Sequence, residues 1–365
     1  MTKPVKIITV VGARPQFIKS AAVSRSIFAN FQGRIEEKII HTGQHFDDNM
    51  SKIFFDDMGI PQPHYHFAIS GGNHGVMTGK MLESIENVLL QEKPDWLLVY
   101  GDTNSTLAGT LAAAKLHIPV AHVEAGLRSF NMRMPEEINR ILADRVSTLL
   151  FCPTETAVNN LKLEGISQGV HNVGDVMYDV ALFYRDRARQ QSRVLQTLGL
   201  SPGGFVLATC HRAENTDDPQ RLGEILSALA EVAGQMPLVL PLHPRTRKLV
   251  GEYGLSQHLK SLIVTEPLPF LDMAALEQAA RIILTDSGGV QKEAFFYEVP
   301  CITMRDETEW VETVELGANR LVGSSRVVLL DAVEAILKSA LHHSKSEPYG
   351  DGDAANKIVS LLVAH

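Results

Sequence analysis

The chain has 365 residues, 45% of them hydrophobic, with a formal net charge of -8 and three cysteines. That length exceeds one ordinary core and sets an expectation of two domains, and the apolar content excludes a disordered or low-complexity chain. The negative balance gives no general attraction to nucleic acid, so a small ligand is favoured over a polymer.

In chain order, "MTKPVKIITVVGARP" opens basic and then apolar, but the apolar run is short and ends in Gly, Arg and Pro. It reads as a first strand, neither signal peptide nor membrane span. After it, short β-branched runs alternate with segments of helical period: "EKIIHT", "DWLLVYGDT", "PVAHVEAG" and "STLLFCPT", separated by helices such as "QFIKSAAVSRSIFAN" and "NSTLAGTLAAAKLH". The pattern weakens at the charged helix "YRDRARQQSRVLQTLG" and resumes with "FVLATCHRAEN", "LVLPLHPRT", "LIVTEPL", "RIILTDSGG", "PCITMRD" and "NRLVG".

Continuous apolar strands alternating with helices predict parallel sheets covered on both faces. The expected fold is therefore α/β, with two Rossmann-like doubly wound domains facing across a cleft. The expected boundary lies near Val173: residues 1–172 form the first domain and 173–351 the second, with a C-terminal helix over 352–365 returning to the first. Cys152, Cys210 and Cys301 are scattered among apolar residues outside any C-x-x-C spacing and read as buried, reduced thiols in a cytosolic protein.

In such sheets ligands bind beyond the carboxyl ends of the strands, and the unusual polar groups fall there: Arg14, Lys19, His41, Asp102, Glu124, His211, His243, Asp286 and Arg305. "TDSGGVQKEA" ends a strand in Asp286, Ser287, Gly288 and Gly289 and begins a helix, where free N–H groups suit a phosphate. A plain strand-to-helix turn capped by Ser287 fits the same residues. Glu293 lies about a turn and a half into that helix, within reach of ribose hydroxyls. Arg14, and His211 with Arg212, can supply positive charge to the phosphates.

Neither G-x-G-x-x-G nor G-x-x-x-x-G-K-[ST] is present, which argues against a nicotinamide or P-loop site, and no cofactor is expected. His41 and His45 in "HTGQH" are four apart with a Gly between them, a spacing commoner in loops than at metals, so no metal is assigned. Pro135 starts a helix with Glu136 and Glu137 in its first turn, where the dipole favours acids in any case. Glu124, between Val123 and Ala125, is delivered to a strand end by an apolar run and is harder to explain as a solvated residue.

With "GARPQFIK", "HTGQHFD", "YGDTNST", "HVEAGLRS", "MPEEINR", "HRAEN", "LTDSGGVQKEA" and "MRDETEW" in order and spacing, the chain resembles the non-hydrolysing UDP-N-acetylglucosamine 2-epimerases over nearly its whole length. The resemblance implies a glycosyltransferase-B-like fold, a UDP-sugar substrate, no metal or nicotinamide, and a cytoplasmic homodimer formed through first-domain helices. It also implies chemistry: elimination of UDP across C1 and C2 to a glycal, then re-addition with protonation of the opposite face. Asp102, Glu124 and Glu136 are the implied acid, base and charge-stabilising groups. Lys19, Arg14 and His211 would hold or protonate the leaving diphosphate, Ser287, Gly288 and Gly289 would bind phosphate oxygens, and Glu293 the ribose.

Departures from the family pattern fall at Met134, at Ala213 and in "SGGNHGVMTGKML", which puts substrate activation at a second site in question. "HTGQHFDDNMSKIFF" and "LRSFNMRMPEEINR" are more similar to the branch acting on UDP-2,3-diacetamido-2,3-dideoxy-glucuronate, which forms the manno epimer for surface polysaccharide, including lipopolysaccharide O-antigen. Such a sugar adds a carboxylate at C5, and Arg133 or Arg128 is the cation expected to meet it. The alternatives are an epimerase for UDP-N-acetylglucosamine itself and, in another class, a glycosyltransferase of the same fold.

Overall fold

In the computed structural model, residues 3–43, 61–338 and 346–365 are described. The first unit spans Met1–Val180 and Glu347–His365, the second Ala181–Ser346. The first holds a seven-stranded sheet of β1 (Val5–Val11), β2 (Ile35–His41), β3 (Tyr65–His66), β4 (Trp96–Tyr100), β5 (Val120–Val123), β6 (Leu149–Cys152) and β7 (Val170–Asn172), ordered β3-β2-β1-β4-β5-β6-β7. The second holds β8 (Val206–Thr209), β9 (Leu238–Pro241), β10 (Ile263–Thr265), β11 (Ile282–Thr285), β12 (Cys301–Thr303) and β13 (Asn319–Leu321), ordered β10-β9-β8-β11-β12-β13. Every pairing in both sheets is parallel.

Why the strands read as unbroken apolar runs is visible in the second unit. Val206 packs with Leu222, Leu226, Leu240 and Ile302 on one face, while its neighbour Leu207 packs with Phe205, Val239, Ile283 and Cys301 on the other. Successive side chains point to opposite faces, and both faces are covered. Each fully buried Leu or Ile contributes roughly 1.5–3 kcal/mol. The three cysteines are buried and unpaired, and burial pushes the Cys301 thiol up to about 12.

The change of unit falls at Val180/Ala181, inside the helix Val176–Gln191, rather than near Val173. Hydrogen bonds hold the start of that helix in the first unit. The Asp175 N–H donates to the Tyr349 carbonyl at 2.9 Å, and the Asp179 carboxylate accepts from the Ala355 and Ala354 N–H groups at 2.8 and 3.2 Å. The C-terminal helix Ala354–Ala364 also meets the first helix, Arg14–Asn30, where Asn356 Oδ1 accepts from Ser26 and, at 2.7 Å, from Asn30. These contacts return residues 347–365 to the first unit.

Candidate active site

In each sheet the chain winds outward in one direction and then returns to the opposite side of the starting strand. The crossing points lie between β1 and β4 and between β8 and β11, and ligands of open parallel sheets bind at such crossings.

At the first crossing, the helix Arg14–Asn30 has no side-chain cap at Ala13. Gln16 serves instead: its Oε1 accepts from Gly12 and Ala13 N–H at 2.8 and 3.1 Å, and its Nε2 donates to the Tyr100 carbonyl at 2.7 Å. That buried amide ties the turn after β1 to the turn after β4. One turn further along, Lys19 is buried and ion-paired with Glu124. Gly101, with φ 59°, leaves room for the pair, since a Cβ there would lie 3.3 Å from Glu124 Oε2 and 3.8 Å from Lys19 Nζ.

Glu124 has φ 73°, a left-handed conformation that costs a non-glycine residue about 1–3 kcal/mol and clusters at functional sites. It is held by Phe151, whose carbonyl accepts from Glu124 and Ala125 N–H at 3.0 and 3.1 Å. Beneath it, the fully buried His122 bridges Asp144 and the Gly101 carbonyl, both at 2.7 Å. Burial acts to raise the Asp144 carboxyl, but His122 and Arg128 outweigh it and hold the group low.

Asp102, about one-third exposed, is ion-paired with Arg140, and its carbonyl accepts from Asn139 Nδ2 at 2.9 Å. Both partners lie on the helix Pro135–Val146. Glu136 is exposed in that helix's first turn, while its neighbour Glu137 is buried and accepts from Ser129 and Phe130 N–H, each at 2.9 Å, and from Arg140 Nη1 at 2.9 Å. Among the sequence candidates, then, Lys19 meets Glu124, Asp102 adjoins them through Gly101, and Glu136 begins the helix that holds Asp102. Arg133 is exposed on the loop before that helix. Arg14 opens the first helix, but its side chain lies outside the described residues, as does His45.

Arg128 requires a correction. Its guanidinium donates to Asp144 Oδ2 at 2.7 Å, to Glu164 Oε1 and Oε2 at 2.6 and 2.9 Å, and to the Leu127 carbonyl at 2.6 Å. With a side chain 1% exposed, it secures the turn after Glu124 and is not presented to a ligand.

At the second crossing, Asp286 is fully buried and accepts from His211 N–H at 3.0 Å and Arg212 N–H at 3.0 Å, so the two strand-end turns are locked together. The His211 ring stands 3.4 Å from the same carboxylate. Burial lowers the His211 pKa; Asp286 opposes this, and Arg212 and His243 add to it. Ser287 caps the helix Gly288–Phe296. A Cβ on Gly289 would stand 3.8 Å from Ser287 Oγ and 4.0 Å from Glu293 Oε2, and one on Gly288 3.3 Å from Trp310 Nε1 and 3.7 Å from Arg212 Nη2. Ser287, both glycines, Glu293 and Arg212 thus surround one helix N-terminus, a ready anion site.

Sequence reasoning missed Gln16, Glu137, Arg140, Trp310 and the buried Glu277. Burial, reinforced by the charge of Glu293, raises the Glu277 carboxyl well above its usual range. Among the described residues there is no cluster of three potential metal ligands and no helix long and apolar enough to cross a membrane.

Two parallel doubly wound units, with carboxylates at one crossing and an anion-suited helix N-terminus at the other, are the architecture shared with the solved UDP-sugar epimerases of glycosyltransferase-B-like fold. A family model for UDP-N-acetylglucosamine 2-epimerase matches residues 29–363. The UDP-2,3-diacetamido-2,3-dideoxy-D-glucuronate 2-epimerase of Pseudomonas aeruginosa is 55% identical over 362 residues, covering 98% of this chain and 99% of that protein. The UDP-N-acetylglucosamine 2-epimerase of Escherichia coli is 34% identical over 381 residues, covering 98% of each. The solved structure of the Methanocaldococcus jannaschii UDP-GlcNAc 2-epimerase in complex with UDP-GlcNAc and UDP superposes with a TM-score of 0.91 at 44% identity, over 99% of this chain and 100% of that one. The chain belongs to the UDP-N-acetylglucosamine 2-epimerase family and is an isomerase of the non-hydrolysing UDP-sugar 2-epimerase kind.

Proposed function

We propose that this isomerase converts UDP-2,3-diacetamido-2,3-dideoxy-D-glucuronate to its manno epimer, supplying a surface polysaccharide such as O-antigen. The 55% identity to an enzyme of that name over nearly the whole chain carries the substrate reading. The exposed cation Arg133, on the loop entering the Glu136 helix, supports it by offering the C5 carboxylate a partner. A carboxylate among Asp102, Glu124 and Glu136 takes the C2 proton as the C1–O bond breaks and UDP departs, leaving a C1=C2 glycal. Another returns a proton to the opposite face of C2 while UDP oxygen re-forms the bond to C1. Lys19, Arg14 and His211 balance the leaving diphosphate, Ser287, Gly288 and Gly289 cradle its oxygens, and Glu293 takes the ribose.

The homodimer has its own support. The helix Pro135–Val146 turns its charged residues Glu137, Arg140 and Asp144 inward and leaves Ile138, Leu142 and Val146 about 40% exposed along the other side. That inverted amphipathicity suits a helix covered by a second copy. A cytoplasmic setting accords with three buried, unpaired cysteines.

The parent activity on UDP-N-acetylglucosamine is the second reading, favoured by the 44% identical archaeal enzyme whose structure holds UDP-GlcNAc. Membership of the epimerase family replaces the glycosyltransferase alternative. Measuring kcat/KM for the uronate and for the neutral sugar side by side tests the assignment: a clear preference for the uronate upholds it, and preference for UDP-N-acetylglucosamine overturns it.

A further inference from the structure

The helix Pro135–Val146 carries a charged chain that the reaction does not itself require. Arg140, 5% exposed, forks between two carboxylates: one guanidinium nitrogen meets Asp102 and the other donates to Glu137 Oε2 at 2.9 Å. Glu137, 1% exposed, passes the connection on by accepting from the N–H groups of Ser129 and Phe130 at 2.9 Å and from the Ser129 hydroxyl at 3.0 Å. Phe130 sits at φ 59°, a conformation that needs such an anchor. Asn139 of the same helix fixes the Asp102 carbonyl at 2.9 Å and reaches Asn104 Oδ1 at 3.2 Å. The buried Glu137, the half-buried Asp102 and one planar guanidinium thus connect the turn after β4 to the loop that bears Arg133.

We infer that Glu137 and Arg140 are positioning residues that act as one unit, aiming Asp102 and setting the 129–134 loop together. A guanidinium can serve two carboxylates at fixed angles; a lysine ammonium cannot reproduce that fork. The inference rests on the epimerase reading only in taking Asp102 as a group that meets the sugar.

The test compares Glu137→Gln, Arg140→Lys and the double variant with wild type in solvent-deuterium exchange at C2, using whichever UDP-sugar the wild type turns over. Each single substitution lowers kcat about tenfold or more while KM moves less than about threefold, because a misaimed reacting group costs rate more than binding. The double variant loses no more than the worse single, the mark of residues acting through one link. Additive losses, or a fall in thermal stability with kcat unchanged, overturn the inference. A second readout needs no substrate: Asp102→Ala speeds amide hydrogen exchange at Phe130 at least about threefold, since the clamp loses its far anchor. Unchanged exchange at Phe130 overturns the link, whereas wild-type protein that exchanges no deuterium at C2 of any UDP-sugar counts against the epimerase reading alone.

Discussion

Lys19 and Glu124, 105 residues apart in the chain, are ion-paired at the carboxyl ends of β1 and β5. Side-chain exposures of 11% and 10% show that the pair is largely desolvated but reachable. Breaking such a pair leaves a charge uncompensated, and Glu124 makes it from a left-handed backbone at φ 73°. Glu124→Gln, which keeps the shape, lowers C2 exchange by at least about 100-fold and, because it leaves the Lys19 ammonium without that carboxylate, also lowers the melting temperature by a few degrees. Single-turnover kinetics with differential scanning fluorimetry checks both. Exchange at wild-type rates would remove Glu124 from the mechanism.

Arg128 and Arg133 separate stability from specificity. Arg128→Met leaves the Asp144 and Glu164 carboxylates without their cation and costs about 3–5 kcal/mol, the usual penalty for breaking a buried ion pair. Urea denaturation reads it directly. Arg133→Ala leaves the denaturation midpoint unchanged and lowers the kcat/KM ratio of uronate to neutral sugar by about tenfold or more, as loss of a charge-assisted contact requires.

His211 gives a pH signature. Because folding depresses its pKa, the neutral ring is the folded form. Its stability contribution is complete above the unfolded value of about 6.5 and is lost as pH falls through the depressed folded value. A bound diphosphate reverses the bias by favouring the imidazolium. UDP affinity therefore rises between pH 8 and pH 6 with proton uptake, and His211→Asn flattens the part of that slope that the nucleotide's own ionisation does not explain. Calorimetry in two buffers of different ionisation enthalpy measures the uptake.

Gly289 and Gly126 make opposite demands. Gly289 has an ordinary helical backbone, and a Cβ there meets nothing closer than 3.8 Å, so Gly289→Ala folds with equal or slightly higher stability. The added methyl group stands where a phosphate approaches, and UDP affinity falls about tenfold or more. Gly126, at φ 80°, would place a Cβ 2.3 Å from the Ala157 carbonyl oxygen. Gly126→Ala accordingly costs at least about 2 kcal/mol whatever happens to UDP binding.

The parallel sheets were legible because strands buried on both faces read as continuous apolar runs, as "RIILT" and "FVLAT" do. "TDSGG" was legible because Ser and two glycines at a strand end announce a helix N-terminus. The roles of Glu136 and Glu137 were not: adjacent positions on a helix differ by about 100° in direction, and only the packing of Pro135–Val146 decides which is buried. Arg128 misled for a related reason, since its partners Asp144 and Glu164 lie 16 and 36 residues away. Gln16 is half local, since its Oε1 takes the N–H groups of Gly12 and Ala13 while its Nε2 reaches the Tyr100 carbonyl, and Glu277 gives no local signal, because Glu293, whose charge acts on it, lies on another helix. No change in composition marks the change of unit at Val180/Ala181, because one helix runs through it.

The central claim is elimination and re-addition at C2 of a UDP-diacetamido-uronate. Proton NMR of the protein with UDP-2,3-diacetamido-2,3-dideoxy-D-glucuronate in D2O tests it most directly. The account predicts a manno product carrying one solvent deuteron at C2 with UDP regained at C1. A manno product that retains its original C2 proton, or no epimer at all under conditions where UDP-N-acetylglucosamine is converted, would contradict it.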